Sequence, residues 1–240
     1  MSRTVVTFDG HRLTDDYHVS NLRTSLLPRS IATQVVGGRD GTLLTGSRLD
    51  QRTVALTLTA MSKSAAGRQS AARALAAILA VDEPRPLSLS IDGGLSWMAM
   101  PRSPEDIALW FNAASFEVIF ECVDPVAYGA ERTVTVASGS SASFSVGGTY
   151  PASPVISVAS ARNPSGGTWR LALDDGSYVA VDLPSAKALS IDCAARTLTV
   201  GGTVTMLQPE ADWLALEPGT RTLTMTGSGT ATVTYRERWL

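Results

Sequence analysis

From Arg52 to Thr59 the chain alternates strictly, with Val54, Leu56 and Leu58 interleaved with Thr53, Ala55, Thr57 and Thr59. A period of two marks a β-strand with one face buried and one face wet. β-Branched threonine suits the exposed side of a pleated surface. Such a strand does not fold alone, because its apolar face needs a second layer laid over it. The next periodic segment supplies that layer. Gly67–Val81 places Ala71, Ala72, Leu75, Ile78 and Leu79 on one face and Gln69, Ser70, Arg73 and Ala77 on the other, the pattern of an amphipathic helix. Asp82-Glu83-Pro84 stops it, since proline drives the preceding residue out of helical geometry. The many alanines predict a close-packed helix, joined to the strand by the turn-like Met61-Ser62-Lys63-Ser64.

The rest of the first half adds to this pair. Residues 4–8 begin a strand that ends at the turn signal Asp9-Gly10. Residues 13–36 mix polar and apolar positions without a clear period. Residues 39–50 are rich in glycine and charge, and read as a loop or a long hairpin arm leading into the organising strand. Such an arm reaches a neighbouring molecule or is an ordinary surface loop, and both readings stand at this point. Pro86–Ile91 alternates again, Asp92-Gly93-Gly94 turns the chain, and Trp97-Met98 open a return strand. Ser115–Val123 is a long strand with Phe116, Val118, Phe120 and Cys122 on one face and Glu117, Ile119 and Glu121 on the other.

From Glu131 the texture changes: helical periodicity disappears, charge thins, and short alternating strands are divided by glycine turns. Leu198–Val200 and Thr203–Met206 flank Gly201-Gly202, a two-residue hairpin signal. Thr222–Thr226 and Thr230–Tyr235 flank Gly227-Ser228-Gly229 and read as a second hairpin, and residues 171–181 read as a third around Asp174-Asp175-Gly176. Serine-rich Ser138–Ser143 reads as a link just past the border. Turns about every ten residues mean an antiparallel sandwich or jelly roll. The chain is therefore expected to be mainly β: residues 1–130 a β-sandwich with one α-helix, residues 131–240 an all-β sandwich.

Charge excludes some functions. The chain carries 20 basic and 22 acidic residues, balanced in both halves, so no basic stripe offers a nucleic-acid grip. No apolar run is long enough for a membrane helix, and the amino terminus lacks the apolar core of a signal peptide, which implies synthesis for the cytosol. Cys122 and Cys193, the two cysteines, sit in alternating strands without metal-ligand spacing and are expected as reduced core residues, a bridge between the halves being the rival.

Catalytic apparatus is not evident. No nucleophile elbow, phosphate loop or dinucleotide fingerprint occurs. His11 and His18 lack a third ligand and read as surface residues. Asp15-Asp16 and Asp174-Asp175 are adjacent pairs, the second explained as turn residues. No cofactor, metal or enzymatic role is expected. Trp169, Trp213 and Trp239 are core or edge aromatics, or an exposed platform for a sugar ring.

Several stretches, taken in order, resemble the distal tail protein family of siphophages. They are Gly38-Arg39-Asp40-Gly41, Thr45–Asp50, Arg52-Thr53-Val54, the Phe120–Gly129 border, Gly148–Ile156, Asp212–Gly219 and Tyr235–Trp239. The resemblance spans essentially the whole chain. It implies a virion protein at the distal end of the tail, assembled in the bacterial cytoplasm. The first domain would close into a homo-hexameric ring extending the tail tube around the DNA passage. The second, galectin-like in shape, would project toward adhesion parts. The implied partners are the tail tube protein, the tail-tip hub protein and receptor-binding proteins. Arg39, Asp40, Arg48 and Asp50 on the arm are the candidate ring-interface residues. A carbohydrate-binding module using the second sandwich is the alternative, and an enzyme the third.

Overall fold

The computed structural model describes residues 4–102, 107–163 and 167–240. The chain divides into two compact units, Met1–Ala127 and Tyr128–Leu240.

The amino-terminal unit runs β1 (Val6–Phe8), β2 (His11–Arg12), a single helical turn α1 (Leu13–Asp16), β3 (His18–Thr24), β4 (Arg29–Val35), β5 (Thr42–Leu49), β6 (Arg52–Met61), α2 (Ala65–Leu79), β7 (Arg85–Leu89), a 3-10 turn (Ser90–Asp92), β8 (Ser96–Arg102), β9 (Ile107–Leu109) and β10 (Ala113–Cys122). The organising strand is β6, in the alternation its sequence dictates: Val54, Leu56, Leu58 and Ala60 are buried while Thr53, Ala55, Thr57 and Thr59 are half-exposed. It lies between β3 and β10, antiparallel to both. β10 continues to β9 at one end and to β8 at the other, then to β7, β1 and β2. The sheet rolls over its own core. β1 and β10 are three steps apart along it, about 14 Å in a flat sheet, yet the Phe8 and Phe120 rings lie 4.9 Å apart.

Helix α2 covers the β6–β10 pair on the expected face, with Leu75 buried and Ala71, Ala72, Ile78 and Leu79 half-buried. The expected close packing is corrected, because Leu75 is its one fully buried residue and most of the helix faces water. Alanine is too short to bury much area, so a narrow seam suffices. The helix starts earlier than its period indicates because Ser64 caps it, its Oγ accepting from Gly67 N at 3.0 Å. A Cβ at residue 67 would collide with the Ser62 and Ser64 hydroxyls, which explains the glycine there. Tyr17 pins the helix to the sheet: its hydroxyl donates to Ala71 O at 2.8 Å and its ring meets Phe116 edge-on.

The carboxy-terminal unit contains β11 (Ala127–Ala137), β12 (Ser141–Val146), β13 (Val155–Ala161), β14 (Thr168–Leu173), β15 (Tyr178–Asp182), β16 (Lys187–Asp192), β17 (Thr197–Val200), β18 (Thr203–Thr205), β19 (Gly219–Thr226) and β20 (Thr230–Trp239). One sheet has the order β18-β17-β16-β13-β20-β11 and the other β12-β19-β14-β15. Both contribute to one core, with Ile156, Ile191 and Val233 from the first and Trp169, Leu171 and Leu223 from the second. That is a sandwich, and the β14–β15 and β17–β18 hairpins are as expected.

Two sequence readings change here. β19 and β20 are not a hairpin; they lie in opposite sheets. Ser228, between two glycines with φ of +109°, donates its amide and hydroxyl to Arg162 O and turns the chain across the sandwich. Ser138–Ser143 is not a link between domains. It forms the β11–β12 turn and the start of β12, with the Ser138 hydroxyl donating to Gly227 O and that of Ser140 to Ala137 O.

Candidate functional site

Among the described residues, strands β4 and β5 pair only with each other, from Arg29↔Leu49 to Val35↔Thr42, as a separate two-stranded sheet. Neither strand contains a fully buried residue. The apolar side chains Leu27, Ile31, Val35, Val36, Leu43 and Leu44 are exposed, as is Leu26 at the root, 90% accessible. A two-stranded ribbon is marginal in water without a surface to lie on. Arg39 and Asp40 sit in the hairpin turn, Arg48 on β5 opposite Ser30, and Asp50 at the base. All four are exposed. The fold brings Arg48 and Asp50 to the root side and leaves Arg39 and Asp40 at the far end, so the four do not form one cluster.

The root is firmly held. Ser25 N donates to Thr53 O at 3.1 Å and Thr53 N to Ser25 Oγ at 3.0 Å, while Asp50 N donates to Pro28 O at 3.0 Å. Arg52 completes it. It is the one charged residue buried among the described residues, 6% exposed, and its Nη2 donates to Leu26 O at 2.8 Å. Its guanidinium lies 5.7 Å from the centre of the Trp97 ring, a cation–π placement. Asp92 lies near enough to feel it: burial holds that carboxyl above its ordinary range, and Arg52 pulls the other way. Burying a charge is costly unless it is engaged, and here the guanidinium ties the arm's first residues to the sheet. Arg52 is in phase with Val54, Leu56 and Leu58, so the period that makes the strand also places this charge on the buried face. That signal was present in the sequence.

The chemistry-bearing residues are dispersed. His11 and His18 are exposed, and no group of three or more His, Cys, Asp or Glu residues able to hold a metal occurs among the described residues. Cys122 and Cys193 are free and buried, their thiols pushed up to about 12 and about 11 chiefly by burial. Asp175 is a turn residue that accepts from the Ser177 amide and hydroxyl. Trp169 is fully buried and Trp213 packs half-buried on the core with Leu214 and Leu216, so neither is an open sugar platform.

Three of the remaining sequence motifs meet at one structural knot. Arg238 O accepts from Thr149 N and Tyr150 N, and the Arg238 guanidinium lies by the rings of Tyr128 and Tyr150, 5.5 and 4.9 Å from their centres. Gly148 has φ of +103°, and a Cβ there would collide with Arg238 O. These residues tie the ends of the carboxy-terminal unit together.

The described chain is thus two β-units, one of them holding out a pinned apolar arm. The family of phage tail protein RIFT-related domains matches residues 14–122, and the carboxy-terminal domain of siphovirus-type tail components matches residues 147–239. The chain belongs to the distal tail protein family of siphophages, structural components of the virion's distal tail. No curated protein matches it by sequence. Its fold is similar to that of the SPP1 Dit (gp 19.1) protein, described as a hub of the adsorption apparatus of phages infecting Gram-positive bacteria, with a TM-score of 0.83 and 19% identity over 99% of each chain. It is also similar to a chain of the phage P2 baseplate in its activated conformation with Ca, with a TM-score of 0.53 and 10% identity over 99% of this chain and 98% of that one. The Sr form of that baseplate gives 0.50 and 11%, over 98% and 97%.

Proposed function

We propose that the chain is the distal tail hub itself: six copies join head to tail through their amino-terminal units into a ring that continues the tail tube around the DNA passage. In this reading the carboxy-terminal units bear on the adhesion apparatus, and no catalysis is involved. The observation that carries the reading is the arm, a rooted ribbon whose exposed apolar side chains have no use within their own unit. A closed ring needs two unlike patches on each copy, and an arm reaching the next copy is the simplest first patch. Arg39, Asp40, Arg48 and Asp50, exposed along it, set its polar contacts.

The sheet face opposite α2 supports the passage. Register pairs Thr53 with Glu121, Ala55 with Ile119, Thr57 with Glu117 and Thr59 with Ser115 across it. Arg102 at its flank is paired with Glu121 at 3.3 Å, and Arg23 stands beside Ala55. A surface this nearly balanced does not hold phosphate the way a basic lining would.

Native mass spectrometry of the full chain, at low and moderate salt, tests the reading. A six-fold mass, weakened by Arg39→Glu with Arg48→Glu while the melting curve is unchanged, supports it. A strictly monomeric chain at tens of micromolar overturns the self-assembling ring.

A further inference from the structure

The carboxy-terminal unit leaves one sheet edge unguarded. The sheet of order β12-β19-β14-β15 has β12 and β15 as its outer strands. Along β15, Gln208 N and Asp212 N donate to Ala180 O and Tyr178 O. β12 has no such cover. Met225 N donates to Ser140 O at 3.1 Å, which, with the register Ser141↔Thr224 and Ser143↔Thr222, makes these the non-hydrogen-bonded pairs of the ladder. The backbone N–H and C=O groups of Ser141, Ser143 and Ser145 therefore point away from β19. Side chains approach closely in such pairs, and the hydroxyls of Ser141 and Thr224 lie 2.8 Å apart, as do those of Ser143 and Thr222. Among the described residues, Ser145 O alone of these outward groups has a partner, the Tyr235 hydroxyl, which donates to it at 3.1 Å.

Edge strands are commonly blunted by a charge, a proline or a bulge. Ser141–Val146 contains no charged residue and no proline, and its register to β19 is unbroken. Phe144 faces the core, its ring 5.7 Å from that of Tyr235, yet it is only half-buried because the sheet stops beside it. Amides and carbonyls presented at every second residue match the spacing of another extended backbone. The edge therefore calls for a β-strand.

We propose that this strand is β12 of a second copy of the chain, paired antiparallel about a two-fold axis at Ser143. The contact lies beyond the ring reading above and does not depend on it. β12 is complementary to itself. Ser143 stands opposite the partner's Ser143, and Ser141 opposite the partner's Ser145, so the outward amides of each strand meet outward carbonyls of the other. On the core side Ala142 stands opposite the partner's Phe144, and Phe144 opposite the partner's Ala142. A small side chain thus meets a large one on both sides of the axis, and each Phe144 gains cover. One patch serves both copies, as a two-fold contact requires. The unit closes its core without this contact. A single ladder of this length is smaller than a standard interface, so the association is weak and is caught covalently.

Ser143→Cys in the full chain, oxidised with copper phenanthroline, tests the register. Directly opposed residues of this pairing have Cα atoms about 5.5 Å apart, inside the roughly 4.4–6.8 Å that a disulfide spans. The two Ser141 positions lie about 13 Å apart along the strands, out of reach. Cys122 and Cys193 are buried and do not compete. The expected result is a covalent dimer from Ser143→Cys, formed roughly tenfold or more faster than from Ser141→Cys. Ser141→Cys combined with Ser145→Cys should cross-link again. In that double variant, Ser143→Pro removes an amide that β19 does not use, which an edge strand tolerates, and should slow cross-linking roughly tenfold or more. Ser143→Lys, which sets like charges opposite each other without constraining the backbone, should do the same, with the melting curve little changed. Equal rates at 141 and 143, no cross-link at either, or cross-linking that both substitutions leave unchanged overturns the proposal. A denaturing gel reads the contact whether or not the chain forms rings, so failure of this contact and failure of the ring are seen separately.

Discussion

The two units treat their loose ends differently. In the carboxy-terminal unit, the last strand returns to the first, and Arg238 is bonded and stacked between segments from the beginning of the unit. The outer edge of β15 is capped by Gln208 N and Asp212 N, which donate to Ala180 O and Tyr178 O. The amino-terminal unit closes a core of similar kind, yet holds out a ribbon that contributes nothing to it. Apolar residues kept in water on a pinned ribbon contribute little to their own fold. On the proposed ring reading, one unit is finished alone and the other is finished by a neighbour.

The largest effect separates core from arm within one unit. Leu56→Asp puts an unpaired carboxylate at a buried position of β6 and should cost several kcal/mol, roughly enough to leave the unit unfolded. Leu44→Asp on the arm should leave the melting curve where it is and reduce assembly. Circular dichroism and native mass spectra on both variants check this, and equal loss of fold in the two would break the comparison.

Gly148→Ala tests the knot of the carboxy-terminal unit. The left-handed backbone alone should cost about 1–3 kcal/mol, and the clash with Arg238 O adds to it. Hydrogen exchange should rise across that unit and stay unchanged in β6 and β10.

Arg52→Met removes the guanidinium from Leu26 O and should cost about 1–3 kcal/mol. Exchange should rise at Ser25 and Asp50, at the root of the arm, more than in the centre of the β6–β10 ladder. A uniform rise would make Arg52 a core residue without a special bearing on the arm.

The smallest effect is electrostatic. The Ser177 hydroxyl and amide hold the Asp175 carboxyl below its ordinary value of 3.8. A depressed folded pKa contributes stability above the unfolded value, and that stability is lost as the pH falls through the folded one. Asp175→Asn should therefore lower the melting temperature slightly at pH 7, with the difference from the parent vanishing below the ordinary carboxylate range. The group is exposed, so the shift should be small and confined to the carboxy-terminal unit.

A single buried face imprints its period on the segment that carries it. The alternation of β6 and β10 and the seam of α2 are legible because each element has one dry side, and its period records which residues face it. The resemblance to distal tail proteins was legible for a similar reason, since Gly148, Tyr150 and Arg238 serve one close-packed knot. Tertiary structure alone decided the rest. β4 escaped notice because a ribbon standing clear of the core has no dry side and hence no period. β19 and β20 carry the alternation and glycine turn of a hairpin, and nothing local separates that from a crossover between sheets. The choice was made by Arg162, distant in sequence, whose carbonyl takes the Ser228 amide and hydroxyl and sends the two strands to opposite sides of one core.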